Sequence, residues 1–171
     1  MSKIVIATAA TLLASLSAYA ADGPSYLLPA MKDIVAPQAA VIWDVGNRGI
    51  DDDGKPDASK LTAQDWDTLG NAATAMQQAA SGLAEARQIL VGPPGTKLEN
   101  EGAPGVFSAQ QVQGFIDHDP AGFSKHARTL ADISQTLISA AATKDAKKLA
   151  DASGELDQVC EACHTKFWYP Q

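Results

Sequence analysis

Both cysteines of the chain lie near its C-terminus in the segment CEACHTKFWYPQ, where Cys160, Cys163 and His164 form a C-x-x-C-H motif. This motif is the attachment signal for a c-type haem. On a helix, thiols at positions i and i+3 lie on one face and can add to the two vinyl groups of haem, while the next imidazole binds the iron. We therefore expect one covalent haem c on Cys160 and Cys163, with His164 as the proximal iron ligand.

Other chemistries use the same residue types. Two thiols in an exported protein can form a disulfide. A thioredoxin-like C-x-x-C lies at a helix N-terminus after a strand, whereas this motif is predicted at a helix C-terminus. A zinc site needs a further ligand, for which the sequence offers His118 and His126. Haem attachment is favoured because both cysteines fall inside the motif and an export signal begins the chain. Since no nucleophile–base pair or carboxylate dyad stands out, we do not expect an enzyme.

Helical segments must position the motif, because no stretch alternates between polar and apolar residues as a strand would. Apolar residues at helical spacing predict four helices, at about 28–48, 62–90, 120–141 and 144–168. Thr62 and Asp65 resemble a capping box, and Asp119-Pro120 is an N-cap followed by proline at the first helical position. Pro37 lacks an N–H and predicts a kink in the first helix.

Helices of this length, two of whose three links are short, predict an all-α fold, an antiparallel four-helix bundle with the haem at one end. The link at 92–118 is the exception, since it is rich in Gly and Pro and far longer than usual. It begins and ends at the haem end of such a bundle. We therefore expect this link to cover an edge of the haem.

The start of the chain predicts export. Residues 1–20 resemble a cleaved signal peptide, with Lys3, an apolar run from Ile4 to Leu16 and an A-x-A site at 18–20. The apolar run is too short to cross a bilayer about 30 Å thick as a helix. We therefore expect a single periplasmic domain, residues 21–171, with no membrane span after cleavage.

The charge balance limits the partners. The precursor carries 13 Lys+Arg against 20 Asp+Glu, and loss of Lys3 with the leader moves its net charge from −7 to −8. Such a surface repels nucleic acid and anionic membranes. A neutral or basic redox partner protein is the favoured partner.

We expect the second axial ligand of the iron to come from upstream, because the residues after His164 include neither histidine nor methionine. In an antiparallel bundle, Met31 near the start of the first helix shares an end with His164. His126 is an alternative ligand on the flank of the third helix. Met76 falls mid-helix and is predicted to pack in the core, and His118 is predicted to be solvated. The topology thus favours Met31 and leaves His126 open.

The chain resembles the class II cytochromes c, the family of cytochrome c′ and its low-spin relatives. The resemblance rests on the C-terminal C-x-x-C-H, on Phe167 three residues after the histidine, on four predicted helices and on the segment MKDIVAP that begins with Met31. It covers essentially the whole mature chain. The long link, Pro37 and the lack of an arginine before Met31 depart from the family pattern.

The resemblance implies two alternative functions. In low-spin members a methionine of the first helix, typically followed by lysine, completes the iron coordination, and Met31-Lys32 matches that position. This implies a one-electron carrier. Independently of the resemblance, Trp168 is expected to pack beside the haem because it lies four residues after His164. In cytochrome c′ proper the distal face is open and binds NO or CO. Relatives also form homodimers through the first helix, which is an open possibility for this chain.

Overall fold

The computed structural model describes residues 23–169, and these are mostly helical, which confirms the all-α class. The signal peptide predicted at 1–20 lies outside the described residues. The helices are α1 (Leu27–Pro29), α2 (Ala36–Arg48), α3 (Ala63–Glu85), α4 (Ala109–His118), α5 (Pro120–Thr143) and α6 (Ala146–Phe167). A π-helical segment, Ala30–Val35, joins α1 to α2, and these three pieces are together called the N-terminal helix. Within residues 23–169, no helix has the length and apolarity that a membrane span requires.

The irregularity predicted at Pro37 takes the form of the π-helical segment. The N–H of Ala36 donates to the carbonyl of Met31, five residues back, and Pro37 then lies in the first turn of α2. A proline in a first turn needs no partner for its missing N–H. π-Helical turns are rare and occur frequently at functional sites, and this one contains Met31.

Two helix starts predicted from the sequence are confirmed. The Thr62 hydroxyl accepts from the Asp65 N–H at 3.2 Å, and the Asp65 carboxylate accepts from the Thr62 N–H at 2.8 Å, which completes a capping box before α3. The Asp119 carboxylate accepts from the Gly122 N–H at 2.8 Å, and Pro120 is the first residue of α5. These caps satisfy N–H groups that a helix leaves unpaired.

The prediction of a continuous loop over 92–118 was wrong in its last part, because Ala109–His118 is helical. Ser108 and Gln111 form a second capping box, with the Gln111 N–H donating to the Ser108 hydroxyl at 3.2 Å and the Ser108 N–H donating to the Gln111 side chain at 2.9 Å. Val112 and Ile116 are buried on its inner face. A helix this short is only marginally stable alone, so its stability depends on the burial of these two side chains.

The predicted end of the second helix at about 90 was also too late, since α3 ends at Glu85. Ile89–Leu90 (β2) instead pairs in parallel with Ser25–Tyr26 (β1), with Ser25 opposite Ile89. This pairing joins the start of the N-terminal helix to the end of α3. The last helix begins at Ala146 because Lys144 adopts a left-handed conformation, with φ 53°, that ends α5.

Long-range contacts bring four helix ends together. The Ser124 hydroxyl, near the start of α5, donates to the Ala84 carbonyl at the end of α3, at 2.6 Å. Lys166, near the end of α6, forms an ion pair with Asp119 before α5. Together with the β1–β2 pairing, these contacts place the ends of α3 and α6 beside the starts of the N-terminal helix and α5.

The buried side chains form two clusters. The larger one draws on the N-terminal helix, α3, α5 and α6 and contains Met76, which is fully buried as predicted. The smaller one lies at the gathered helix ends and includes Leu27, Leu83 and Phe167. Met31 is partly buried and packs against both clusters, so the rest of the molecule fixes its place.

Candidate haem site

The C-x-x-C-H motif lies in the C-terminal part of α6. Cys160, Cys163 and His164 are each half-buried, and the two cysteines are free thiols with no disulfide between them. The N–H groups of Trp168 and Tyr169 donate to the His164 carbonyl at 2.8 and 2.9 Å, which closes the helix directly after the motif. The three residues are thus held on an ordered helix end, and both thiols are available.

A cavity of about 510 Å³ adjoins the motif and is lined by Cys160, Cys163 and His164. We call it the main cavity. Its size falls in the range of small-molecule and cofactor sites, which are about 300–1,000 Å³ and mostly apolar. Its other walls come from the N-terminal helix, α3 and α5 and include Val35, Ala39, Trp43, Leu83, Phe123 and Leu130.

A second cavity of about 630 Å³ lies beside the link between β2 and α4, and we call it the loop-side cavity. It shares Met31, Ala36 and His164 with the main cavity. The link contributes Lys97–Glu99 and Gly105–Phe107 to its wall. The link therefore reaches the same end of the molecule as the motif.

The candidate axial ligands differ in their positions relative to these cavities. Met31 lines both cavities together with His164, whereas His126 lines the main cavity alone. Met76 and His118 line neither of the two. Met31 and His126 are thus the candidates near His164, and Met31 accompanies it in both cavities.

Burial sets the protonation states at the motif. It lowers the pKa of His164, against the smaller opposing effect of the Glu161 carboxylate. A neutral imidazole has the free lone pair that a metal ligand requires. Burial also raises the pKa of Cys160, and raises that of Cys163 to about 11. Raised values are typical of thiols in apolar surroundings, whereas a thioredoxin-like site lowers the pKa of its reactive thiol.

His126 lies in a mainly apolar setting. Its ring packs edge to face against Phe167, with ring centroids 5.8 Å apart. Burial lowers the pKa of His126, and the nearby positive charge of Lys166 acts in the same direction. Phe167 also packs against Phe123 at 5.5 Å, so His126 belongs to an aromatic wall beside the main cavity.

The residues present fit a haem c. The site offers two free thiols one helical turn apart, a half-buried imidazole whose pKa is lowered by burial, the thioether of Met31 from the N-terminal helix, and mainly apolar walls. Within residues 23–169, no three His, Cys, Asp or Glu side chains are grouped as ligands of a metal ion. A haem iron takes four ligands from the porphyrin and needs only its axial ligands from the protein.

Two tryptophans line the cavities, and the sequence singled out only one of them. Trp43, which the sequence did not single out, lines the main cavity, and its indole N–H donates to the Ser153 carbonyl at 3.3 Å. The available signal was the spacing of four residues that links Met31, Val35, Ala39 and Trp43 along one helix face. Trp168, predicted to pack beside the haem, lines the loop-side cavity and not the main one.

Residues in the C-terminal part of the chain match a known family. The family model described as Cytochrome C′ matches residues 108–168, a segment that spans α4, α5 and α6 and contains the C-x-x-C-H motif. A comparison with curated proteins gave no match, and neither did one with solved structures. The match supports the resemblance drawn from the sequence: residues 108–168, which contain the C-x-x-C-H motif, are similar to the Cytochrome C′ family.

Proposed function

We propose that this protein is a c-type cytochrome, a periplasmic one-electron carrier with a single haem c attached through Cys160 and Cys163. His164 is the proximal ligand of the iron and Met31 the distal ligand. The observation that carries this proposal is that Met31 and His164 line the same two cavities. The four long helices form an antiparallel bundle around this site, in line with the contacts that gather their ends.

The bound haem supplies a one-electron couple between ferric and ferrous iron. The protein tethers it through two cysteines of one helix and presents a neutral imidazole from His164. Methionine–histidine ligation raises the reduction potential. The side chains of Val35, Leu83 and Phe123 supply apolar walls. With both axial positions filled, transfer of an electron would need little change in coordination.

The position of Met31 supports this reading. Met31 lies in the π-helical segment and packs against both hydrophobic clusters. Because the Met31 side chain is already packed in the protein, it would lose little conformational entropy on binding the iron. The partner protein is proposed to be a periplasmic redox protein with a neutral or basic surface, since acidic residues outnumber basic ones by 20 to 13.

The alternative function is binding of NO or CO at a five-coordinate haem. The observation that favours it is the largely apolar wall of the main cavity, in which a small uncharged gas can bind. In this case Met31 packs beside the open face of the haem and does not bind the iron. Both functions use the same two cysteines and the same proximal histidine.

Optical spectra of the purified holoprotein separate the two functions. We expect low-spin spectra in the ferric and ferrous forms, a methionine–iron charge-transfer band in the ferric form, and no CO adduct of the ferrous form. A high-spin ferric spectrum with ready CO binding would instead establish the open site. Covalent attachment is checked on the same sample by the haem that remains bound to the denatured chain.

A further inference from the structure

The two cavities differ in the residues that they do not share. Cys160 and Cys163 line only the main cavity, whereas Lys32 and Lys97 line only the loop-side cavity. The vinyl groups of a haem lie on one half of the porphyrin and its two propionates on the other half. The cysteines therefore fix the vinyl half beside the main cavity, and the propionate half is directed away from them.

The charges at the two cavities favour the same orientation. The acidic residues Asp157 and Glu161 line the main cavity, and a propionate beside them would meet like charge. The loop-side cavity has two lysines against one carboxylate, Glu99. Hydrogen bonds between an ammonium group and a carboxylate are stronger than those between neutral groups. The loop-side cavity is thus the better environment for two carboxylates.

Packing and hydrogen bonds of nearby residues in the link hold Lys97 at this cavity. Leu98 is buried in the smaller cluster, and its N–H donates to the Glu101 carboxylate at 3.0 Å. The N–H of Ala109 donates to the same carboxylate oxygen at 3.1 Å, which ties the link to the start of α4. Phe107 packs edge to face on Phe115, with ring centroids 5.1 Å apart. The link is therefore a packed structure, and Lys97 lies exposed at its edge.

We propose that Lys97 and Lys32 bind the haem propionates, so that the long link closes the propionate edge of the haem. This inference rests on the proposed haem attachment and ligation. Lys32 comes from the π-helical segment directly after Met31, and Lys97 comes from the link. The site is thus assembled from two distant parts of the chain, and the link has a function in holding the cofactor.

The test compares the midpoint potentials of Lys97→Gln, Lys32→Gln and Lys97→Arg with that of the unmodified holoprotein. Removal of a positive charge beside the propionates stabilises the ferric form. We expect each glutamine variant to lower the ratio of reduced to oxidised protein several-fold at a fixed applied potential. Lys97→Arg keeps the charge and should restore most of that ratio. Lys60→Gln, in the turn before α3, is the matched control and should leave the potential unchanged.

Resonance Raman spectra of the same samples report on direct contact. The propionate bending modes should shift in Lys97→Gln and Lys32→Gln and stay unchanged in Lys60→Gln. Unchanged modes and potentials in both lysine variants, or an equal change in Lys60→Gln, would overturn the inference. An unmodified protein that carries no covalent haem would instead refute the proposed function, so the two failures are distinct.

Discussion

Met31 and His164 line the same two cavities, although Met31 lies near the start of the N-terminal helix and His164 near the end of α6. The β1–β2 pairing and the ion pair between Lys166 and Asp119 hold these helix ends at one end of the molecule. A thioether and a neutral imidazole are both customary axial ligands of haem iron. The fold therefore allows Met31 and His164 to bind the same iron without rearrangement of the helices.

Replacement of the two cysteines should change the number of covalent links to the haem. Cys160→Ser and Cys163→Ser should each retain haem through the remaining thioether, and the double variant should lose all covalent haem. Mass spectrometry of the denatured chain measures this directly. Ala162→Ser, which adds a hydroxyl between the two thiols, is the matched control and should keep the full haem mass. Covalent haem in the double variant would contradict the assigned attachment.

The capping box before α3 should make the stability depend on pH in acid. Hydrogen bonds from Thr62, with a further contribution from Arg48, lower the pKa of Asp65 to about 2. Because the folded-state pKa lies below the ordinary aspartate value of 3.8, this stabilisation is fully present above the unfolded-state pKa and is lost as the pH falls toward 2. The difference in unfolding free energy between the unmodified protein and Asp65→Asn should therefore shrink over that range.

Urea unfolding at a series of pH values measures this difference. Thr62 contributes more to the lowered pKa than Arg48 does, so Arg48→Gln should retain most of the acid dependence. A difference between the unmodified protein and Asp65→Asn that stays constant from neutral pH to pH 3 would contradict the assignment.

Much of the fold could be predicted because its signals are local. The cap at Thr62 and the Asp119-Pro120 pair each determine a helix start through hydrogen bonds within one turn. The end of α3 could not be predicted, because it depends on the pairing of Ile89–Leu90 with residues far away in the sequence. Helix α4 had a local signal in Ser108 and Gln111, but the glycines and prolines before it favoured a loop.

Two glycines offer a test of helix packing. Gly82 is exposed on α3 with open space where a Cβ would lie, so Gly82→Ala should stabilise the protein by about 0.5–1 kcal/mol. A Cβ at Gly46 would lie 3.1 Å from the hydroxyl oxygen of Ser153 on α6. Gly46→Ala should therefore gain less than Gly82→Ala, because the close contact offsets the gain in helix propensity.

Thermal unfolding of the double variant Gly46→Ala/Ser153→Ala tests the cause. The Ser153 hydroxyl is buried and has no hydrogen-bond partner among the described residues, so its removal should cost little. In the Ser153→Ala background, Gly46→Ala should stabilise the protein nearly as much as Gly82→Ala does. An equal gain at Gly46 in both backgrounds would show that the contact with Ser153 has no energetic effect.

The C-x-x-C-H motif can be recognised in the sequence alone, whereas the walls of the cavity beside it cannot. Cys160, Cys163 and His164 lie within about one helix turn, so their spacing in the sequence is enough to indicate haem attachment. Lys97 depends on the packing of a link whose sequence predicts only a loop, so no local pattern indicates its place. Trp43 lines the main cavity because of how α2 faces α6, and that relation is set by long-range packing.

The ligand assignment is tested most directly by the optical spectra of Met31→Ala, recorded in the ferric and ferrous forms with and without CO. We predict loss of the methionine–iron charge-transfer band and a new CO adduct of the ferrous protein. Met76→Leu is the matched control; it replaces a fully buried core methionine, should cost less than about 1.5 kcal/mol in stability, and should leave the spectra unchanged. Spectra of Met31→Ala that match those of the unmodified protein, with no new CO adduct, would contradict Met31 as the distal ligand.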